Sequence, residues 1–254
     1  MSPLEIVQTF VREEAYVQQA LEKSTPAIAR ALELISARIN AGGRMFYVGA
    51  GTSGRLGVLD ASEIPPTFGE SPNTFQGIIA GGLRALHRSV EDAEDSAEAG
   101  AAALRARGVS SSDVVCGIGA SGRTPFVIGA LREAHTLGCV TVFITCNPAR
   151  DRTDFPCDVD IDLDTGPEIL TGSTRLKAGT ATKVCLNVLS TGAMVLGGRV
   201  ESNLMVSLQA TNVKLRDRAA RLVAQQRNMD YDEARELLRK NEWDVVRVLK
   251  LIDH

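Results

Sequence analysis

From residue 44 onward, short runs rich in β-branched and aromatic residues alternate with helix-like stretches. RMFYVGA, TFQGIIA, DVVCGIGA and CVTVFITC are each followed by glycine, serine or proline and then by a helical segment. This alternation predicts a parallel sheet with helices on both faces, because neighbouring parallel strands are joined by crossover helices. A fifth run, DVDIDLD, alternates apolar and acidic residues, as a half-exposed edge strand does. A loop, GPEILTGSTRLKAGT, then leads into a long small-residue helix, ATKVCLNVLSTGAMVLGG.

The flanks differ from this central region, and the chain divides into 1–43, 44–211 and 212–254. Ser2, Pro3 and Glu5 form a helix-start signature, and the first helix is expected to run to about Lys23. Thr25 and Pro26 repeat the device, and Ile28, Leu32, Ile35 and Ile39 recur at helical spacing until Gly42 and Gly43. The last segment is strongly charged, with breaks near Arg227 to Asp230 and at Asn241, which predicts three short helices. Its charge reads as a solvated face.

The chain has 254 residues, and 28 basic against 31 acidic side chains leave a net charge of −3. That balance offers no general attraction to nucleic acid or anionic lipid. No apolar run approaches the roughly 18 residues of a membrane span, and the opening MSPLEIVQTFVREEAY lacks the pattern of a secretion signal. Cys116, Cys139, Cys146, Cys157 and Cys185 are odd in number and have no CxxC spacing, so they read as reduced core thiols of a cytoplasmic protein. The three histidines, His87, His135 and His254, give a zinc site or a histidine-based triad little to work with.

Ligands of open parallel sheets bind beyond the carboxyl ends of the strands, and two loops there carry anion-binding chemistry. GAGTSGRLG (Gly49 to Gly57) follows the first strand and opens a helix. Gly49, Gly51 and Gly54 let the backbone approach an anion, and Thr52 and Ser53 add hydroxyls at a helix N-terminus. GASGRTP (Gly119 to Pro125) repeats the arrangement with Ser121, Gly122, Arg123 and Thr124. Either loop taken singly also suits a plain tight connection. Neither the full dinucleotide fingerprint nor the lysine ending of a triphosphate loop is present, so the pair points to a small phosphorylated ligand.

Carboxylates are the acid and base candidates. Glu63 lies in LDASEIPPTFG, where Pro65 and Pro66 are expected to end the helix that begins at the first loop. It reads either as a catalytic group or as an ordinary helix-end glutamate. Glu91, Asp92, Glu94 and Asp95 crowd SVEDAEDSAEAG, either for proton transfer or as a solvated helix start. Arg175 and Lys177 in TGSTRLKAGT either hold a phosphate or carboxylate or decorate a loop.

GAGTSGRLGVLDASEIPPTFG, IIAGG with EDAEDS, GIGASGRTPFVIGAL, CNP, GPEILTGSTRLKAGTATK and NLMVSLQATNVKL together resemble the bacterial N-acetylmuramic acid 6-phosphate etherases over residues 4–250. The resemblance implies a sugar isomerase type domain, a three-layer α/β/α sandwich with a central parallel sheet. It also implies a small C-terminal subdomain similar to ubiquitin-associated folds. The implied activity is cleavage of the D-lactyl ether of N-acetylmuramic acid 6-phosphate, without metal or organic cofactor, by a cytoplasmic homodimer engaged in cell-wall sugar recycling. By matching motifs, Glu63 takes the place of the family's general acid and Glu94 that of its base. Gly51, Thr52, Ser53, Gly54, Ser121, Gly122, Arg123, Thr124 and Lys177 are the expected substrate-binding residues, assigned by loop position. A glutamate acting as acid at neutral pH is expected to need burial or a neighbouring carboxylate to raise its pKa.

The chain departs from the family pattern in three places. It begins almost at the first helix, where family members usually carry a further polar segment; Ile64 stands where cysteine is common; and ARDRTDFPC after CNP is unusual. Two rivals share the fold: a non-catalytic sugar-phosphate sensor similar to glucokinase regulatory protein, and a phosphosugar isomerase. Retention of Glu63 and Glu94 in full motifs favours an enzyme over the sensor, and an isomerase, which would also use a carboxylate base, has no need for the DASEIPPTFG segment.

Overall fold

The computed structural model describes residues 1–150, 157–207, 210 and 212–252. Most of the ARDRTDFPC connection, three residues of NLMVSLQATNVKL and His254 lie outside the described residues. The chain forms two compact units, Met1–Ala61 with Asn73–Ala193, and Ser62–Pro72 with Met194–His254.

The first unit is built on five parallel strands: β1 (Met45–Gly49), β2 (Phe75–Ile79), β3 (Val114–Ile118), β4 (Val140–Thr145) and β5 (Val159–Asp162), in the order β2-β1-β3-β4-β5. β1, β3 and β4 are buried along their whole length, whereas β5 alternates buried and half-buried positions as its apolar-acidic sequence requires of an edge strand. Helices cover both faces. Phe46, Val48, Val115 and Phe143 pack with Val127, Ala130 and Leu131 of α6 (Pro125–Thr136), and Leu104 of α5 (Ala97–Ala106) completes that layer. On the other face Tyr47 meets α3 (Gly51–Phe68), where a Cβ on Gly57 would stand 2.8 Å from the Tyr47 Cβ. α7 (Lys177–Leu196) joins this layer.

The N-terminal helices break elsewhere than the sequence signals predict. α1 (Pro3–Glu13) carries the expected Ser2–Glu5 capping box but stops at Glu14, and α2 (Ala15–Asn40) runs straight through Thr25 and Pro26. Proline inside a helix forfeits a ladder bond and costs about 3 kcal/mol or more. Tertiary contacts outweigh that cost here: Ser24 is buried and its hydroxyl donates to the Asp162 carbonyl at 2.5 Å, fixing α2 beside β5. Pro65 and Pro66 likewise do not end α3, which continues to the buried Phe68 and closes at Gly69, φ +69°. α7 begins at Lys177, four residues before the predicted start.

The second unit contains α8 (Val213–Arg227), α9 (Tyr231–Lys240) and α10 (Val245–Ile252). Asn228, in the left-handed conformation with φ +49°, stops α8, and Asp230 caps α9 by accepting from the N–H groups of Asp232 and Glu233. Ala219, Val223, Ala234, Leu238, Val245 and Val248 form its core. Most apolar positions of the three helices are thus consumed between them, Val213 and Leu251 staying exposed, and the charges lie outside. No helix among the described residues is long and apolar enough to cross a membrane.

Candidate active site

β1 and β3 are neighbours, yet the chain leaves β1 towards β2 and leaves β3 towards β4, on opposite sides. Such a reversal of strand order opens a crevice at the carboxyl edge, where ligands of open α/β sheets bind. Gly49 pairs with Ile118 in the register, so both glycine-rich loops start from the same point of the edge.

In the first loop the Gly49 carbonyl accepts from the Ala80 N–H at 3.0 Å, and Gly51, with φ +52°, starts α3. Thr52 and Ser53 are half-buried in the first turn, and Gly54 is buried, its N–H on the Ala50 carbonyl. The Thr52 methyl lies 3.8 Å from where a Cβ of Gly179 would stand, so the start of α7 closes on this loop.

In the second loop Gly122 donates to the Gly119 carbonyl at 2.9 Å with φ +69°, a conformation that only glycine adopts without strain. A side chain here would also strike Arg150, 2.7 Å from the Cβ position. The Asn147 amide donates to the Ser121 carbonyl at 3.0 Å, which gives the CNP motif its role of bracing the loop from β4. Ser121 and Arg123 are exposed. Thr124 occupies the N-cap of α6 with its hydroxyl making no capping bond, and Pro125 sits in the first turn. That hydroxyl is available to a ligand at a helix N-terminus.

Glu94 ends a single turn of 3-10 helix, Glu91–Glu94, two residues before Ser96 caps α5. Two constraints place this turn. The Arg55 guanidinium of α3 donates to the carbonyls of Leu86 and Arg88, each at 3.3 Å, and so ties the segment leading to it to the first loop. α5 and α6 also cross so closely that a Cβ on Gly100 would collide with the Phe126 carbonyl, and one on Gly129 with the Ala97 carbonyl. Ala93 packs into the same layer. Glu94 is thereby held beside the helix that the second loop opens, with its carboxylate exposed.

Glu63 is also exposed, on α3 just inside the second unit. The burial expected of a catalytic acid is not present at either glutamate in the single chain.

Lys177 stands apart from the other sequence candidates. It is 1% exposed, with Nζ on Glu13 Oε2 at 2.6 Å and over the Tyr16 ring at 4.7 Å. Its backbone N–H and that of Ala178 donate to the Glu168 carboxylate, each at 3.0 Å. The N-terminus of α7 is thus already occupied by an anion of the chain itself.

Sequence reasoning missed Glu168, Asn147, Arg55 and, most of all, Asp60. Asp60 is 6% exposed and accepts from the Tyr47 hydroxyl at 2.9 Å, the Asn187 amide at 2.7 Å and the Ser190 hydroxyl at 3.1 Å. Burial, and then the Asp60 charge, raise the Tyr47 phenol well above its usual pKa and keep it a donor. Its partners lie 13 and more than 100 residues away, so no local spacing announced them.

A five-stranded parallel sheet in this order, with two hydroxyl-bearing glycine loops at its switch point, is a doubly wound α/β domain, and its solved neighbours make it one of the sugar isomerase type. The gonococcal phosphoheptose isomerase (Neisseria gonorrhoeae) has the same fold, with a TM-score of 0.55 at 20% identity over 75% of this chain and 98% of that one. The glucokinase regulatory protein N-terminal SIS domain model matches residues 27–135. The N-acetylmuramic acid 6-phosphate etherase of Symbiobacterium thermophilum is 56% identical over 92% of this chain and 77% of its own length. That of Serratia proteamaculans is 52% identical over 99% of this chain and 84% of its own. The chain belongs to the N-acetylmuramic acid 6-phosphate etherase family.

Proposed function

We propose that this chain cleaves the D-lactyl ether of N-acetylmuramic acid 6-phosphate with water, giving N-acetylglucosamine 6-phosphate and D-lactate, a lyase step of cell-wall sugar recycling. The identity to etherases across nearly the whole chain carries this reading. A sensor role is favoured only by the domain match to residues 27–135, which stops before β4, α7 and the three C-terminal helices α8, α9 and α10.

In this proposal the phosphate and sugar are held by the hydroxyls of Thr52, Ser53, Ser121 and Thr124, by the backbone around Gly51, Gly54 and Gly122, and by Arg123. The open-chain sugar presents an aldehyde at C1 and the ether at C3. The Glu94 carboxylate takes the C2 proton, the electron pair moves to form the C2–C3 double bond, and the C3–O bond breaks. Glu63 protonates the departing oxygen, so lactate leaves as the neutral alcohol. Water then adds to C3 with its proton taken by Glu63, and Glu94 returns a proton to C2. A well-placed general acid or base contributes about 10² to 10⁴-fold. The Lys177 side chain ties the start of α7 to the N-terminal helices rather than holding the phosphate directly, given its engagement with Glu13 and Tyr16.

The protein acts as a homodimer in the cytoplasm. α1 buries none of its residues in the single chain and exposes Leu4, Val7, Phe10 and Val11, a face suited to a second copy. Five free cysteines suit a reducing compartment.

Identification of the products separates the readings. D-lactate and N-acetylglucosamine 6-phosphate are expected; an isomeric sugar phosphate alone would establish an isomerase, and unchanged substrate bound to a folded protein would establish a sensor.

A further inference from the structure

We infer that Asp60 is a positioning residue for the first phosphate loop, setting the start of α3 against the start of α7; this rests on the proposed phosphate role of Thr52 and Ser53. Every group involved belongs to the first compact unit. Asp60 is buried, and three neutral donors satisfy its carboxylate: the Tyr47 hydroxyl from β1 on one oxygen, and the Asn187 amide with the Ser190 hydroxyl from α7 on the other. A buried charge is costly unless its hydrogen bonds are made, so this set tolerates little displacement.

Contacts at two levels join α3 to α7. The Thr52 methyl, in the first turn of α3, lies 3.8 Å from the Cβ position of Gly179 in the first turn of α7, and further along Asp60 meets Asn187. The two levels are eight residues apart on each helix, a rise of about 12 Å. The helices therefore run side by side in the same direction, with their hydrogen-bonded clamp at Asp60. At the Thr52 level Gly179 has no side chain to interlock, so the spacing there follows from the clamp. On the sheet side α3 rests on glycine, with Gly54 against Ile79 and Gly57 against Tyr47. The sheet thus sets the height of α3 above the strands, whereas Asp60 sets its distance from α7. The start of α7 cannot stand in for a displaced loop, because Glu168 already engages its Lys177 and Ala178 N–H groups. A binding constellation needs its groups held to within about 0.5 Å, and the Asp60 bonds supply that constraint for Thr52 and Ser53.

A residue that places the phosphate loop matters only to a ligand that carries a phosphate. The test measures, by calorimetry, the binding of two sugars that differ in that group alone, N-acetylglucosamine 6-phosphate and N-acetylglucosamine. With Asp60→Ala, Kd for the phosphorylated sugar is expected to rise about 10- to 100-fold, the scale of one lost hydrogen bond to a charged group, and Kd for the plain sugar to change less than about twofold. A merely loosened fold would weaken both sugars alike. Asp60→Asn keeps the oxygen that Asn187 and Ser190 reach, the Tyr47 hydroxyl turning to accept from the new amide, and is expected to restore Kd to within about threefold of the wild type. Should Asp60→Ala fail to fold, Ser190→Ala removes one donor, leaves the carboxylate in place, and is expected to show the same selective loss on a smaller scale. An equal loss for both sugars, or no loss for the phosphorylated one, overturns the inference. A wild type that binds both sugars equally well contradicts the phosphate reading on which the inference rests.

Discussion

The carboxylate of Glu168 accepts the backbone N–H of Ala178 at 3.0 Å, and its second oxygen takes that of Lys177. A loop side chain thereby caps α7 and fixes the segment between β5 and that helix. Charge-assisted caps contribute about 1–2 kcal/mol. Glu168→Ala is expected to lower the unfolding free energy in urea by about that amount. Retention of full stability would show that the cap is held some other way.

The phosphate loops predict a different phenotype. Thr124 makes no capping bond, so Thr124→Val removes nothing from the folded chain. A hydrogen bond to a charged group is worth about 1.5–3 kcal/mol, or roughly 10- to 100-fold in affinity. KM for the phosphosugar is expected to rise on that scale with no change in melting temperature. An unchanged KM would remove Thr124 from the binding site.

The α5–α6 crossing predicts that Gly129→Ala is harmful although alanine is the better helix former. Its Cβ meets the Ala97 carbonyl, and overpacking of this kind costs about 1–3 kcal/mol. Because Ala97 comes just after the turn that carries Glu94, kcat is expected to fall together with the melting temperature. A stabilised variant with full activity would contradict this packing.

Burial raises the thiol pKa of Cys146, Cys157 and Cys185 from 9.0 to about 12, and that of Cys139 to about 11. In the unfolded chain these groups ionise near pH 9, whereas the folded chain keeps them protonated. Between those values the folded state binds more protons, so stability falls as pH rises from about 9 towards 12. Urea denaturation at pH 8 and pH 10 checks the sign. Replacing Cys146 with alanine is expected to flatten the dependence, and an unchanged slope would assign it to other groups.

Much of this molecule was legible from local pattern. Each β-branched run became a strand, DVDIDLD became the edge, and the two glycine-rich loops came together because β1 and β3 pair. Proline misled at Pro26, Pro65 and Pro66, since burial of Ser24 and Phe68 outweighs a lost ladder bond and spacing does not reveal burial. Asp60 and Glu168 were missed for a related reason. Their partners come from remote segments, so their meaning exists only once the chain has folded. The exposure of Glu63 and Glu94 agrees with the plainer readings the sequence offered, a helix-end glutamate and a solvated helix start, and the catalytic readings come from the motifs around them rather than from burial.

The roles of Glu63 and Glu94 as acid and base of ether cleavage are tested most directly by D-lactate release from N-acetylmuramic acid 6-phosphate, measured for the wild type, Glu63→Gln and Glu94→Gln. The wild type is expected to turn over, and each variant to lose at least about 10²-fold, with folding unchanged because both side chains are exposed. Lactate release by either variant at the wild-type rate would contradict the assignment.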